Sequence, residues 1–268
     1  MLRAIACVYV RRLGRGASNA SAIAILRRFG LNAHVWIPGI GTINGLTAGN
    51  YLDSALTTAA TVDNPVGGVV DANGTINATQ ATTANKPILR RTSGKYSWQF
   101  DGSNDTLALG SVPFQMADDH AVVAGIAGVT STSGRVVSPA GGSGANFPEI
   151  AAITVYLSAT GIRVQWIDDA AVISTVILTA PAGAFVVSAR KVSNAKTGRM
   201  NGVAGAVSNT VMGAATVTSG AIGSFATGGA RFTGSIGPII LIKGTVTDVE
   251  LLTLERFVSS LTPSGPVF

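Results

Sequence analysis

Asp101, Ser103 and Asp105 stand at alternate positions in "DGSND", a run of side-chain oxygens that echoes a calcium loop. A hard cation takes about six to eight oxygens. Asp101 and Asp105 are therefore a weak cation candidate, and an Asx-type turn between two strands uses the same residues. Glycoside hydrolysis needs two carboxyl groups roughly 5 to 10 Å apart across the bond. The glutamates are Glu149, Glu250 and Glu255; the last two share one predicted helix and Glu149 stands alone before its strand. Serine hydrolysis needs a nucleophile beside a base. "GGSGA" (141–145) and "TGSIG" (233–237) each miss the G-x-S-x-G elbow by one residue, and His120, after Asp118 and Asp119, reads as a polar strand start. "GRGASN" and "GIGTIN" lack the third glycine of a dinucleotide loop, and no G-K-[ST] occurs. One cysteine, Cys7, and two histidines, His34 and His120, do not make a zinc donor set. The expectation is a chain that is not an enzyme, with no catalytic residues, no metal and no cofactor.

The elements around these residues read as strands. "YSWQFDGSNDTLAL" (96–109) places Tyr96, Trp98 and Phe100 on one face and Ser97, Gln99 and Asp101 on the other. In a sandwich one face of each sheet is core, and large aromatics dominate cores. The row is predicted to pack inside rather than to stack sugars. Further strands are expected at 121–129, 150–157, 162–167, 171–179, 185–189, 198–203 and 236–242. Asp168-Asp169 marks a hairpin, whereas 39–85 reads as long loops. Regular short strands without alternating helices argue for a sandwich or jelly roll. The chain ends on a helix, 247–261: Thr247 and Glu250 form a capping box, Leu251, Leu254, Val258 and Leu261 repeat at helical spacing, and Pro263 stops it.

Charge is scarce and segregated. Charged residues are 12% of the 268, where ordinary domains carry about 25%. A neutral, Ser/Thr-rich β surface gives that composition, and so does a surface lying against other proteins, because interface cores are depleted in charge. Of 19 Lys and Arg, six (Arg3, Arg11, Arg12, Arg15, Arg27 and Arg28) fall in the first 30 residues, which contain no Asp or Glu; the other 13 balance 13 acids. This basic arm contains a short predicted helix capped by Ser18 or Asn19, with Ile23, Leu26 and Phe29 near one face and Gly30 as its stop. Apolar residues between the arginines suit a protein-docking arm better than a phosphate-binding tail. Nucleic acid contact by the arm is the less favoured reading. "KPILRRTSGK" (86–95) is a second basic cluster or a charged loop. "AIACVYV" is too short for a secretory signal, although an Arg-rich, acid-free start has some look of a transit peptide. The longest uncharged stretch, Met200–Ala230, is broken by seven glycines, so no membrane span is expected.

Several stretches in order carry a family resemblance: "HVWIPG", "NGTINATQATTANKPILRR" and "YSWQFDGSNDTLAL", then "GRMNGV", "FTGSIGPIILIKG" and "TVTDVELLTLERFVSSL". Together, over about 34–261, they resemble the concanavalin A-like, laminin-G-like jelly roll in the form common among bacteriophage virion proteins. Trp36 is followed by Ile37-Pro38 where the family usually has a "DP"-like pair, and Asn104-Asp105 stand where it has two Asp. Both departures weaken any ligand role carried over to that loop.

To the basic N-terminal arm (1–30) marked out by charge, the resemblance adds an all-β, concanavalin A-like jelly-roll sandwich (31–262) with one C-terminal α-helix and a tail (263–268). It further implies a structural part of a phage virion, in capsid, neck or tail, that docks on other virion proteins and on copies of itself. The docking residues would be Arg3, Arg11, Arg12, Arg15, Ile23, Leu26, Arg27, Arg28 and Phe29. The alternative is a carbohydrate-binding module for attachment to surface glycans, with Trp166 and Tyr156 as stacking candidates.

Overall fold

A computed structural model describes residues 19–129, 134–140, 149–156, 161–179, 182–215, 217–225 and 229–268. A helix, α1, spans 19–29. There follow β1 (Ala33–Trp36), the small hairpin β2 (Gly41–Ile43) and β3 (Leu46–Ala48), and short β4 (Asn50–Tyr51), β5 (Gly68–Val69) and β6 (Ala78–Thr79). Next come β7 (Ile88–Thr92), β8 (Lys95–Asp101), β9 (Leu107–Leu109), β10 (His120–Val129), β11 (Gly134–Ala140), β12 (Glu149–Tyr156) and β13 (Gly161–Ile167). The chain continues through β14 (Ile173–Leu178), β15 (Phe185–Val192), β16 (Ala195–Met200), β17 (Val203–Ser208), β18 (Ser219–Ile222) and β19 (Thr233–Lys243) to α2 (Asp248–Leu261).

The strands form a two-sheet antiparallel sandwich. One sheet runs β17-β16-β15-β10-β19-β8-β7, and the other β14-β13-β12-β11-β18-β9-β6-β5-β4. β19 is long enough to pair β10 along one edge, while β8 and β1 pair the two halves of its other edge. Between the sheets lies the main core, which holds Trp36, Trp98, Phe100, Phe114, Trp166 and Phe185. Trp98 is fully buried and its Nε1 donates to Asn50 Oδ1 at 2.6 Å. The aromatic row of β8 is thus packing, and burying one such ring contributes about 1.5 to 3 kcal/mol.

The outer face of the first sheet is covered too. Val35, Ala121, Val123, Val186, Ile240 and Ile242 meet Ala22, Ile23 and Leu26 of α1 and Leu251, Leu254, Phe257 and Val258 of α2. Coverage on both faces explains why "AVVAGIAGV" and "GPIILI" are continuous apolar runs instead of alternating ones. α2 begins as the capping box requires: Thr247 Oγ1 accepts from Glu250 N, and Glu250 Oε2 accepts from Thr247 N at 3.0 Å. Its far end comes so close to β10 that a Cβ on Gly125 would stand 2.1 Å from Thr262 Oγ1.

Three expectations change. The stretch 198–203 is not one strand: Asn201 (φ 50°) and Gly202 (φ 82°) make a two-residue hairpin turn between β16 and β17. Positive φ at both turn positions matches the right-handed twist of paired strands. The supposed loops of 39–85 contain β2–β6, of which β4, β5 and β6 extend the second sheet. α1, read as part of a docking arm, buries Ile23 and Leu26 against this chain's own first sheet, and Arg28 pairs with Glu250 of α2 at 2.8 Å. An eleven-residue helix is marginal alone, so this packing is what holds it.

Candidate functional site

Among the described residues, a cluster of polar side chains gathers at the end of the sandwich where the loops after β6, β8 and β18 meet. Asp101 closes β8, and its Oδ1 accepts from the backbone N–H of Ser103 (2.8 Å) and Asn104 (3.3 Å), an Asx turn. Asp105 Oδ2 accepts from Asp101 N at 2.9 Å. Gly102 sits at φ 81°, and a Cβ there would collide with Thr233 Oγ1 at 1.8 Å, so the turn needs glycine. Thr106 N donates to Asn85 O (3.0 Å), Gln80 Nε2 donates to Thr106 O (3.3 Å), and the Thr106 and Ser224 hydroxyls bond at 2.6 Å. Arg231 donates to Asn104 O at 3.1 Å.

The charges at this end are mixed. Burial pushes the Asp105 carboxyl upward, and the neighbouring charge of Asp101 adds to that; the Asp101 N–H and Arg231 pull the other way. Asn104 Oδ1 is buried without a donor, although natural proteins rarely leave such an acceptor orphaned. Asp101 and Ser103 are exposed, while Asn104, Arg231 and Gln80 are half-buried. Carboxylate, amide, hydroxyl and guanidinium within one loop cluster can hydrogen-bond a hydroxyl-rich ligand from several sides. No group of three or more His, Cys, Asp or Glu side chains suited to a metal occurs among the described residues. The site is built around Asp101 and Asp105, the residues that also stand out in the sequence. Gln80, Asn85, Ser224 and Arg231 carry no sequence signal, because strand pairing brings them there: β6 with β9 and β7 with β8 for the first two, β9 with β18 and β8 with β19 for the others.

The other predicted residues are scattered. Trp166 is 0% exposed, and its Nε1 donates to His120 Nε2 at 3.0 Å, so it offers no stacking face to a sugar. His120 Nδ1 faces the carbonyl of Asp118 at 2.9 Å and Phe114 stacks on the ring at 4.6 Å. Burial holds His120 neutral, its pKa lowered to about 3. Tyr156 ends β12, and its side chain lies outside the described residues, as do Arg3, Arg11, Arg12 and Arg15. Arg27 is exposed, and Phe29 is half-buried beneath the Arg28 guanidinium at 4.4 Å. The second basic cluster is absorbed by the fold: Lys86 donates to Leu52 O (2.7 Å), Arg90 pairs with Asp63 (2.5 Å), and Lys95 donates to Thr262 O (2.9 Å).

A second polar centre, not read from the sequence, joins His34 and Asp71. Their side chains bond at 2.5 Å, and the Asp71 carboxylate also accepts from the N–H groups of Val35, Asn73, Gly74 and Ile76. Burial raises the Asp71 carboxyl, but His34 and the backbone donors outweigh it and hold it below the usual carboxylate range. This carboxylate clamps the 71–77 loop onto β1.

No known family profile matches the sequence, and no curated protein matches it. Solved structures do. The sialidase of Trypanosoma rangeli bound to the inhibitor DANA superposes with a TM-score of 0.53 and 16% identity, over 83% of this chain and 34% of that one. The same enzyme's covalent intermediate with 2,3-difluorosialic acid gives 0.52 and 13%, over 91% and 38%. The receptor-binding domain of botulinum neurotoxin D gives 0.48 and 8%, over 68% and 50%. The chain spans little more than a third of the sialidase chain. At these identities the likeness is one of fold, an all-β sandwich. It overturns the expectation that the chain is not an enzyme as a reading the fold supports, because the sandwich is shared with sialidases, which are enzymes. No described helix is long and apolar enough to cross a membrane.

Proposed function

We propose that the chain is a glycan-recognition sandwich of the concanavalin A-like kind, taking its sugar at the loop end built by Asp101, Ser103, Asn104, Asp105 and Arg231. The observation that carries this reading is the loop end itself, with exposed carboxylate and hydroxyl groups beside a half-buried guanidinium and an acceptor lacking a donor. All three tryptophans are fully buried, so recognition rests on hydrogen bonds in place of ring stacking. Support also comes from the sialidase fold, one of whose matching structures (TM-score 0.52, 14% identity) holds sialic acid. The test is a panel of sialylated and neutral glycans, followed by titration of any that bind. Binding should fall at least tenfold in Arg231→Ala and in Ser103→Trp, with melting temperatures unchanged. Absence of binding across the panel, or binding that both variants retain, defeats the proposal.

A second reading makes the chain a virion component docked on other virion proteins. The acid-free, arginine-rich start of the chain favours it. Because α1 belongs to the packed domain, the test compares the full chain with one beginning at residue 19. Co-sedimentation with phage particles that is lost with residues 1–18 supports the reading, and equal behaviour of the two chains removes it.

A further inference from the structure

We infer that Asn44-Gly45 is a site of spontaneous deamidation, and that the fold confines the reaction to it among three Asn-Gly pairs. The pairs are Asn44-Gly45, Asn73-Gly74 and Asn201-Gly202. In each, the glycine nitrogen can attack the asparagine side-chain carbonyl carbon, because no Cβ on glycine hinders the approach. The N–Cγ bond forms, the Cγ–Nδ2 bond breaks, and ammonia leaves with the glycine N–H proton. Water then opens the succinimide at either carbonyl, giving aspartate or isoaspartate. No oxidant or reductant takes part.

The reaction needs a free glycine nitrogen, a free side-chain amide and room for the backbone to turn. At Asn73-Gly74 the first two are held. Gly74 N donates to Asp71 Oδ1 (2.9 Å), and Asn73 Nδ2 donates to the carbonyls of Gly30 (3.0 Å) and Ala33 (2.9 Å). At Asn201-Gly202 the side chain and the backbone are held. Asn201 Oδ1 accepts from Val186 N, and Asn201 N donates to Val186 O, both at 2.9 Å. Phe268 and Leu252 close over that turn, within 3.2 Å of where a Cβ on Gly202 would stand.

Asn44-Gly45 escapes these restraints. Both residues are exposed, and nothing lies within 4 Å of where a Cβ on Gly45 would stand. The Asn44 side chain has no hydrogen-bond partner among the described residues. The pair adopts the same left-handed turn as Asn201-Gly202 (φ 51° and 82°), so the turn must open for the ring to close. Here opening is cheap. β2 and β3 make a two-stranded sheet of three residue pairs, separate from both large sheets. A hairpin of that size is marginal by itself, and such elements open at far less than the global unfolding free energy. Leu46 and Ala48 anchor the base of the hairpin in the core, which leaves its tip to move. The product carries a new negative charge into the cleft that Asn44 shares with Asn19, Ile23 and Arg27.

Peptide mapping by mass spectrometry tests this on the full chain, aged at mildly alkaline pH both folded and in concentrated urea. In the folded chain the peptide holding Asn44 should convert at least tenfold faster than those holding Asn73 and Asn201. In urea that advantage should disappear, because all three pairs then share one chemistry and no fold. Asn44→Gln, whose longer side chain closes the ring far more slowly, should remove most of the acidic species that ion exchange resolves from the folded chain. Similar folded-state rates, faster conversion at Asn73 or Asn201, an advantage that persists in urea, or an acidic species undiminished by Asn44→Gln would each overturn the inference.

Discussion

At the scale of single residues, the chemistry-bearing side chains mostly hold the fold. His120 is the clearest case. Its Nδ1 faces a carbonyl, which can only accept, so Nδ1 carries the hydrogen and Nε2 accepts from Trp166. Protonation would set an N–H against the indole N–H inside a sealed core. The ring's pKa falls from 6.5 to about 3, so stability is full above about pH 6.5 and is lost as pH falls towards 3. Between pH 7.5 and pH 5 the loss from this group is about 2 kcal/mol. Urea titrations of the wild type and of His120→Gln, whose amide can still accept from Trp166, should differ in pH slope by that amount. Parallel slopes would show that His120 is not held neutral. Asp101 and Asp105 stand out in the sequence because, with Ser103 between them, they put side-chain oxygens at alternate positions in a chain poor in charge. His34 and Asp71 do not, since 37 residues separate them and no local pattern couples the two.

At the scale of elements, local rules succeed where neighbours in sequence decide the outcome. The capping box of α2 and the hairpin at Asp168 are of this kind. The Asp168 carboxylate receives the N–H groups of Ala170 (3.0 Å) and Val172 (2.8 Å), as an Asx turn requires. Asn201-Gly202 shows the opposite weakness, since a period-two reading runs across a turn that glycine and asparagine were signalling. Gly125 lies in a run that looks like any buried strand, yet the close approach of α2 depends on it. Gly125→Ala puts a methyl group against Thr262 Oγ1 and should cost about 2 kcal/mol. The pair Gly125→Ala with Thr262→Ala should recover part of that loss in thermal melts. Equal melting of wild type and Gly125→Ala would mean that the helix end yields freely.

At the scale of the whole molecule, the first sheet is the centre of the structure, with the second sheet on one face and two helices on the other. The basic segment consequently divides at residue 19 in its behaviour. A chain beginning at 19 keeps α1 over Val35 and Ile242, whereas one beginning at 31 strips that cover and the Arg28–Glu250 pair. Removing three buried aliphatic contacts of this size costs about 3 kcal/mol or more. The chain from 31 should therefore melt several degrees below the chain from 19. Equal melting temperatures would return α1 to the role of a separable arm.

The sequence alone determined the all-β class, the inward aromatic row of β8, both ends of α2 and the segregation of charge into the first 30 residues. Each follows from periodicity, capping or counting, which are local properties of the chain. Tertiary structure alone decided which apolar stripes meet. It enclosed Trp166 instead of exposing it, turned Ile23 and Leu26 onto the chain's own sheet, and gathered Gln80, Asn104, Ser224 and Arg231 around one loop end. Those outcomes depend on strand order between residues far apart in sequence, and a hydrophobic stripe carries no label for the surface that will cover it.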